Sequence, residues 1–184
     1  MELNNIEIKE SGVNDFNNIM EVEELAFGYD KEAILTASLL KDKTAKPILS
    51  LLAFDNYEAI GHILFTRVYI DEMINQPLLH ILAPLAVKPD YQKQGIGGLL
   101  IMEGLKRLKE MGSEMVFVLG HIEYYPKFGF VPNAQINGFS APFPIPEEFK
   151  DAWMVQSLNS RKLYNKTGKI ICANELNKPE HWRE

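Results

Sequence analysis

Between His80 and Gly112 the chain reads HILAPLAVKPDYQKQGIGGLLIMEGLKRLKEMG, and this stretch constrains the fold more than any other. Residues 81–87 are a short apolar run stopped by Pro89, the pattern of a buried strand. A polar turn over 88–94 leads into Gly95, Gly97 and Gly98. Apolar residues then recur at helical spacing: Ile101, Leu105 and Leu108 on one face, with Leu100 and Met111 beside it. Lys106, Arg107 and Lys109 fall late in this helix, where cations suit the negative end of its dipole, and Gly112 is placed to end it. The result is a strand, a glycine turn and a helix. Free N–H groups and the positive dipole end make such a helix start an anion site. Glycines let a bulky phosphate approach the backbone closely.

Three kinds of phosphate loop compete for this turn. A P-loop needs a Lys-Ser or Lys-Thr pair after its last glycine, and none follows here. A dinucleotide fingerprint needs Gly or Ala where this chain has Leu100, and it expects the turn to open a repeated βαβ unit. The third fits residue by residue. Gln92-Lys93-Gln94-Gly95-Ile96-Gly97 resembles the Q/R-x-x-G-x-G/A pyrophosphate loop of the GNAT superfamily of N-acetyltransferases, and Leu85-Ala86-Val87-Lys88-Pro89 resembles the strand ending that leads into it. Tyr125-Pro126-Lys127-Phe128-Gly129-Phe130 resembles the Y-x-x-x-G-F segment after that superfamily's fifth strand. LAPLAV, QKQGIG and the tyrosine doublet together are similar to a bacterial group of uncharacterised predicted acetyltransferases. Members of that group usually carry Asp-Pro after the fifth strand, where this chain has His121-Ile122.

Composition sets the remaining bounds. The 184 residues allow one domain, expected to span 1–184, with 46% apolar and 24% charged residues, as in ordinary globular proteins. A net charge of −6 argues against a nucleic-acid partner. The start Met1-Glu2-Leu3-Asn4-Asn5 does not read as a signal peptide, no apolar run reaches membrane-spanning length, and Cys172 has no partner cysteine. A cytoplasmic protein, monomeric or homodimeric, is expected.

Along the chain, residues 6–10 alternate as a first strand, and Asn14 or Asp15 is placed to cap a helix running to Phe27. A short helix over 31–41 follows, then a hairpin from 48–54 and 58–70. The strand over 114–119 lies beyond the glycine helix, so it is expected parallel to the core strand, with a right-handed crossover. The segment 132–149, with Pro142, Pro144 and Pro146, reads as a loop or lid. Residues 152–158 and 168–173 read as closing strands, and the tail from 175 as loosely held.

The resemblance implies an α/β GNAT acyl-CoA N-acyltransferase fold, its central mixed sheet splayed and flanked by helices. It implies acetyl-CoA as cosubstrate and an amine, on a small molecule or a protein, as acceptor. The pantetheine arm would run along Leu85, Ala86 and Val87, and a backbone N–H at Leu85 or Ala86 would hold the thioester oxygen as it gains charge. The diphosphate would sit on Gln92, Lys93, Gln94, Gly95, Ile96, Gly97 and Gly98. Lys88 and Lys93 read as solvated lysines that could add charge. Tyr125, four residues before Gly129, falls where the family places a tyrosine hydroxyl beside the CoA sulfur; Tyr124 is its rival.

The base that must free the amine of its proton stays open. His80 opens the core strand and His121 ends the neighbouring one, so the two could face a common cleft, although a strand-terminal histidine is more often a polar cap than a base. Glu21, Glu23 and Glu24 read as a solvated helix face that would attract a cationic amine, Glu123 lies beside the acid, and His62 reads as structural. No H-E-x-x-H, cysteine-ligand or G-x-S-x-G pattern supports a metal site or a serine hydrolase, and Cys172, in an apolar run, reads as a small buried hydrophobe. The expected activity is acetyl transfer to a primary amine in a ternary complex. The competing reading is a non-catalytic acyl-CoA-binding or regulatory module.

Overall fold

The structure is a computed structural model, and it describes residues 6–159 and 167–182. Eight strands form one mixed sheet: β1 (Ile6–Glu10), β2 (Leu49–Asp55), β3 (Glu58–Ile70), β4 (Leu79–Val87), β5 (Met115–Leu119), β6 (Phe139–Ser140), β7 (Trp153–Ser157) and β8 (Gly168–Ile171). The main path runs β1-β2-β3-β4-β5-β7, and β8 pairs with the end of β3 and with β6. Among the described residues three α-helices flank it: α1 (Phe16–Phe27), α2 (Lys31–Lys41) and α3 (Ile96–Glu110). The α/β fold and the splayed sheet expected from the sequence are both present.

Local chemistry explains the helix limits. Gly28 ends α1 with φ of 73°, its N–H returning to Glu24 O at 2.9 Å. Asp15 stands at the N-cap of α1, as expected, but its side chain makes no capping bond; its carboxylate accepts instead from the Gly12 N–H at 2.8 Å, closing the turn before the helix. In α3 the glycine at position 104 is a packing requirement. A Cβ there would stand 2.4 Å from the Phe65 ring, so its absence lets helix and sheet close together.

The strands sort their side chains by period two. In β5, Met115 and Phe117 join the cluster containing Leu39, Leu64, Val68, Trp153 and Trp182, while Val116 and Val118 join the α3-side cluster with Phe65, Leu100, Ile101 and Leu108. Ile19, Val22, Leu52 and Ala86 form a smaller third cluster under α1.

The crossover of α3 makes β4 and β5 parallel, and their pairing is brief. Only Leu79, His80 and Ile81 pair, with Met115, Val116 and Phe117. Beyond Ile81, β4 continues to Val87 alongside β3 alone, and its register shifts between Ile63 and Phe65. Burial falls where the partner is lost: Leu79–Leu82 are buried, whereas Ala83, Pro84, Leu85 and Val87 are only partly so.

Two expectations need correction here. The segment 132–149 is not a free lid, because Phe139 is fully buried against Phe117 and its carbonyl accepts from Trp153 Nε1 at 2.8 Å. The tail is not loose as far as residue 182. Trp182 is buried, packs edge-on to Trp153 with ring centroids 5.5 Å apart, and donates to Leu176 O at 3.0 Å. Aromatic burial outweighs the local charge that suggested otherwise.

Candidate functional site

The turn before α3 is set by its backbone conformation and braced by two side chains. Lys93 and Gly95 take positive φ, 59° and 91°, and the first helical bond is Leu99 N–H to Gly95 O at 3.1 Å. The N–H groups of Ile96, Gly97 and Gly98 therefore precede the helix's own ladder and carry its positive dipole end. Gln92 Nε2 donates to Val87 O at 3.0 Å and Gln94 Nε2 to Asp90 O at 2.8 Å, so both glutamines brace the turn. The Tyr124 hydroxyl lies 2.6 Å from a Cβ built on Gly97, and the Phe128 ring 3.0 Å from one on Gly98. The aromatic segment thus closes onto the glycines.

Lys93 is exposed at this turn, but Lys88 is not the solvated lysine expected. It is buried, and its Nζ donates to Glu21 Oε1 at 2.7 Å and Glu58 Oε1 at 3.0 Å. Burial opposes its charge, yet the two carboxylates outweigh that and raise its pKa. Glu58 also accepts from Tyr91 Oη at 2.9 Å and is held below the usual carboxylate range, first by Lys88. The lysine anchors α1 to the β4 exit.

On its other side the gap between β4 and β5 opens into a cavity of about 560 Å³. Leu82, Ala83, Pro84 and Leu85 of β4 face Leu119, Gly120 and His121 across it. Phe27, Tyr29, Glu32 and Leu35 come from the α1–α2 hairpin, and Leu176, Glu180, His181 and Trp182 from the tail. Tyr125 lines the same cavity, buried, its ring so close to Gly120 that a Cβ there would meet it at 2.4 Å. Burial, and then the neighbouring Tyr124, push the Tyr125 pKa up. Tyr124 is half-buried, also raised by burial, and its ring stands edge-on to both Tyr125 and Phe128 at 5.3 and 5.2 Å.

The structure brings Tyr125, Leu85 and His121 together and leaves His80 out. His80 sits opposite Val116 at the start of β5, whereas His121 follows its end. The two histidines share no cleft, because parallel strands put their equivalent ends on the same side. His80 is fully buried, with Nδ1 2.9 Å from Ser113 Oγ and Nε2 3.1 Å from Pro47 O. Burial pulls its pKa down to about 4, so it is a neutral structural histidine. His121 is exposed and lines the cavity; it also borders, with Glu123 and Tyr124, a second cavity of about 510 Å³.

The acidic face of α1 is likewise not uniformly solvated. Glu21 and Glu24 are exposed, but Glu23 is fully buried and meets His62 Nδ1 at 2.5 Å. His62 Nε2 hydrogen-bonds Ser50 Oγ at 2.9 Å, which accepts from Ser11 Oγ at 2.6 Å. Burial raises the Glu23 pKa against the pull of His62. His62 is structural, as expected. Sequence reading missed Glu32 and Trp182 as cavity residues, because only the fold brings α2 and the tail to β4. Cys172 is buried, which pushes its thiol pKa up and keeps it unreactive. Among the described residues no group of three or more His, Cys, Asp or Glu side chains is placed to hold a metal ion, and no helix is long and apolar enough to cross a membrane.

Residues 15–130 match the model of the acetyltransferase (GNAT) family. The uncharacterised N-acetyltransferase YjhQ of Escherichia coli strain K12 is 54% identical over 159 residues, covering 86% of this chain and 87% of that protein. The GNAT family N-acetyltransferase YhbS of Escherichia coli, in complex with CoA, superposes with a TM-score of 0.84 at 28% identity, covering 95% of this chain and 93% of that one. A GNAT family acetyltransferase of Brucella melitensis, in complex with acetyl-CoA, gives 0.73 at 26% identity, covering 93% and 97%. By its glycine turn, its splayed strands and these relatives, the chain belongs to the GNAT family of acetyltransferases.

Proposed function

We propose that the chain, acting as one domain, transfers acetyl from acetyl-CoA to a primary amine by direct attack in a ternary complex. One observation carries this reading. The gap between β4 and β5 has the α3 glycine turn at its exit and the Tyr125-lined cavity beside it. A cosubstrate with an anionic head and a long thin arm fits that arrangement, with the acceptor entering through the cavity. The diphosphate binds the N–H groups from Lys93 to Gly98, where the dipole and free donors favour anions. The pantetheine arm pairs with the open edge of β4 at Leu85, Ala86 and Val87. Leu85 directs its N–H at the thioester oxygen; Pro84 before it has no N–H to offer.

The neutral amine attacks the thioester carbon, the C–N bond forms and the electron pair moves onto oxygen. Collapse breaks the C–S bond, and Tyr125 gives its proton to the departing thiolate. Its raised pKa keeps that proton on the phenol at neutral pH. The N–H proton released as the amide forms returns to the tyrosinate through water. His121, which lines the cavity, takes the proton the ammonium loses before attack.

Calorimetry with acetyl-CoA, followed by a screen of primary amines for release of free CoA, tests the reading. Binding with amine-dependent CoA release supports it. Binding without release for any amine supports the acyl-CoA-binding module instead, and absence of binding removes both.

A further inference from the structure

The α1–α2 side of the cavity carries a carboxylate that the mechanism above does not use. Glu32, in the first turn of α2, lines the same cavity as Leu85 and Tyr125. Its Oε1 accepts a long hydrogen bond from Tyr29 Oη at 3.4 Å, and its Oε2 is buried with no hydrogen-bond partner. Unsatisfied buried polar oxygens are costly and each calls for an explanation; that of Glu32, unlike Glu23 Oε2, belongs to a residue bordering a cavity through which a donor can reach it. The rings around it have the same preference. Phe27 and Tyr29, tilted at 60° with centroids 6.3 Å apart, line this wall, and Trp182 closes the cavity from the tail. Aromatic faces attract cations, and together with a carboxylate they form a site for an ammonium group.

Other charges at the cavity do not cancel this preference. His181 is pulled below its ordinary pKa by burial, with Lys31 and Lys178 adding to the pull and Glu180 opposing it, so it is neutral at pH 7. Lys31 is exposed at the edge, His121 is exposed on the β5 side, and Glu180 adds a second negative charge. Behind Glu32, the Glu23 carboxyl is raised chiefly by burial, opposed by His62, and Glu32's own negative charge contributes to the rise. The rest of the lining, Leu35, Leu82, Pro84, Leu85, Leu119 and Leu176, is apolar.

We propose that Glu32 receives the acceptor's ammonium group, and that the acceptors are primary amines whose charge is carried on a compact, mainly apolar body. The inference rests on the acetyl-transfer reading for the identity of the cavity, and it adds the acceptor class and the residue that selects it. Glu32 is then a specificity residue in contact with substrate, reached by the same cavity that Tyr125 serves.

The test uses phenethylamine and its uncharged counterpart phenethyl alcohol as probes, titrated calorimetrically into the full chain saturated with CoA. The parent should bind phenethylamine at least about tenfold more tightly than the alcohol. Glu32→Gln should lose that preference while binding the alcohol as the parent does, and Glu32→Asp should keep part of it. CoA affinity should be the same in all three, which checks folding and the cosubstrate site independently. If Glu32→Gln keeps the full preference for the amine, or if the parent shows none, the proposal is overturned while the acetyl-CoA site stands. If CoA itself does not bind the parent, it is the acetyl-transfer reading that fails. Glucosamine, a polar-bodied amine, should bind more weakly than phenethylamine; the reverse order would refute the apolar body.

Discussion

The hydroxyl of Tyr124 lies 2.6 Å from the point where a Cβ on Gly97 would stand. The first turn of α3 and the aromatic segment after β5 are therefore mutually shaped, and the lack of a side chain at Gly97 is what lets them meet. Gly97 lies outside the positive-φ region, unlike Gly95, so a side chain there tests space rather than backbone strain. Gly97→Ala should displace Tyr124 and weaken acetyl-CoA binding by about tenfold, roughly 1.4 kcal/mol. Gly97→Asp adds a negative charge against the diphosphate and should abolish detectable binding. Calorimetry on folded variants measures both. Parent-like affinity in the aspartate variant would remove the diphosphate from this turn.

Glu23 and His62 form a second coupled pair, one that acts on stability. Both side chains are fully buried, 2.5 Å apart, and His62 passes the contact on to Ser50. Removing one partner of a buried polar pair leaves the other uncompensated, which typically costs about 3–5 kcal/mol. His62→Ala should show a loss of that order in urea unfolding. Glu23→Gln keeps a hydrogen-bonding amide in place and should lose less, about 1–2 kcal/mol. Equal, small losses in both variants would mean that the site relaxes or admits water.

The contrast between these sites shows what the sequence makes legible. The glycine turn, the parallel crossover and α1, α2 and the first strand are written locally, in spacing, glycines and period-two or helical alternation, and the structure reproduces β1 and α2 at the expected residues. Lys88, Glu23 and Trp182 are different. Each is a polar or charge-flanked residue whose burial depends on partners 67, 39 and 29 positions away in the chain, at Glu21, His62 and Trp153. Charge alone favours the surface for all three, and only tertiary pairing reverses that preference. Glu32 escapes for the same reason, since α2 reads as a plain amphipathic helix until the fold sets it against β4.

His80 predicts how the protein responds to acid. An unfolded histidine titrates near pH 6.5, about 2.5 units above the folded value of about 4 that burial imposes here, with the Pro47 carbonyl opposing and Arg67 assisting. Between those values the unfolded chain holds a proton that the folded chain does not. His80's contribution is therefore fully present above about pH 6.5 and is lost as pH falls towards 4, on the order of 3 kcal/mol in total. In His80→Gln the stability lost between about pH 7 and pH 4.5 should be clearly smaller than in the parent, whatever its absolute stability. Urea midpoints across that range give the comparison, and parallel slopes would assign the acid sensitivity to other groups.

Tyr125 carries the sharpest prediction about chemistry. The resemblance of its segment to the family's Y-x-x-x-G-F made it the candidate acid, and it lines the cavity with Leu85 and His121. Tyr124 instead turns its hydroxyl towards the glycine turn. The thiolate of CoA is a fair leaving group, with a thiol pKa near that of free cysteine, about 8.5, so proton donation assists the reaction without being indispensable. General acids typically contribute about 10²–10⁴-fold, and the proposed role of Tyr125 predicts an effect towards the lower end. Tyr125→Phe keeps the ring against Gly120 and Phe130 and removes only the hydroxyl. Its kcat should fall by at least about tenfold with acetyl-CoA affinity little changed, the pattern of an interaction made in the transition state. Tyr124→Phe should change kcat less and acetyl-CoA affinity more, because its hydroxyl borders the glycine turn at Gly97. Steady-state kinetics and calorimetry on both variants separate the roles. If the effects are reversed, Tyr124 is the proton donor and Tyr125 a packing residue; if kcat is intact in both, water protonates the thiolate.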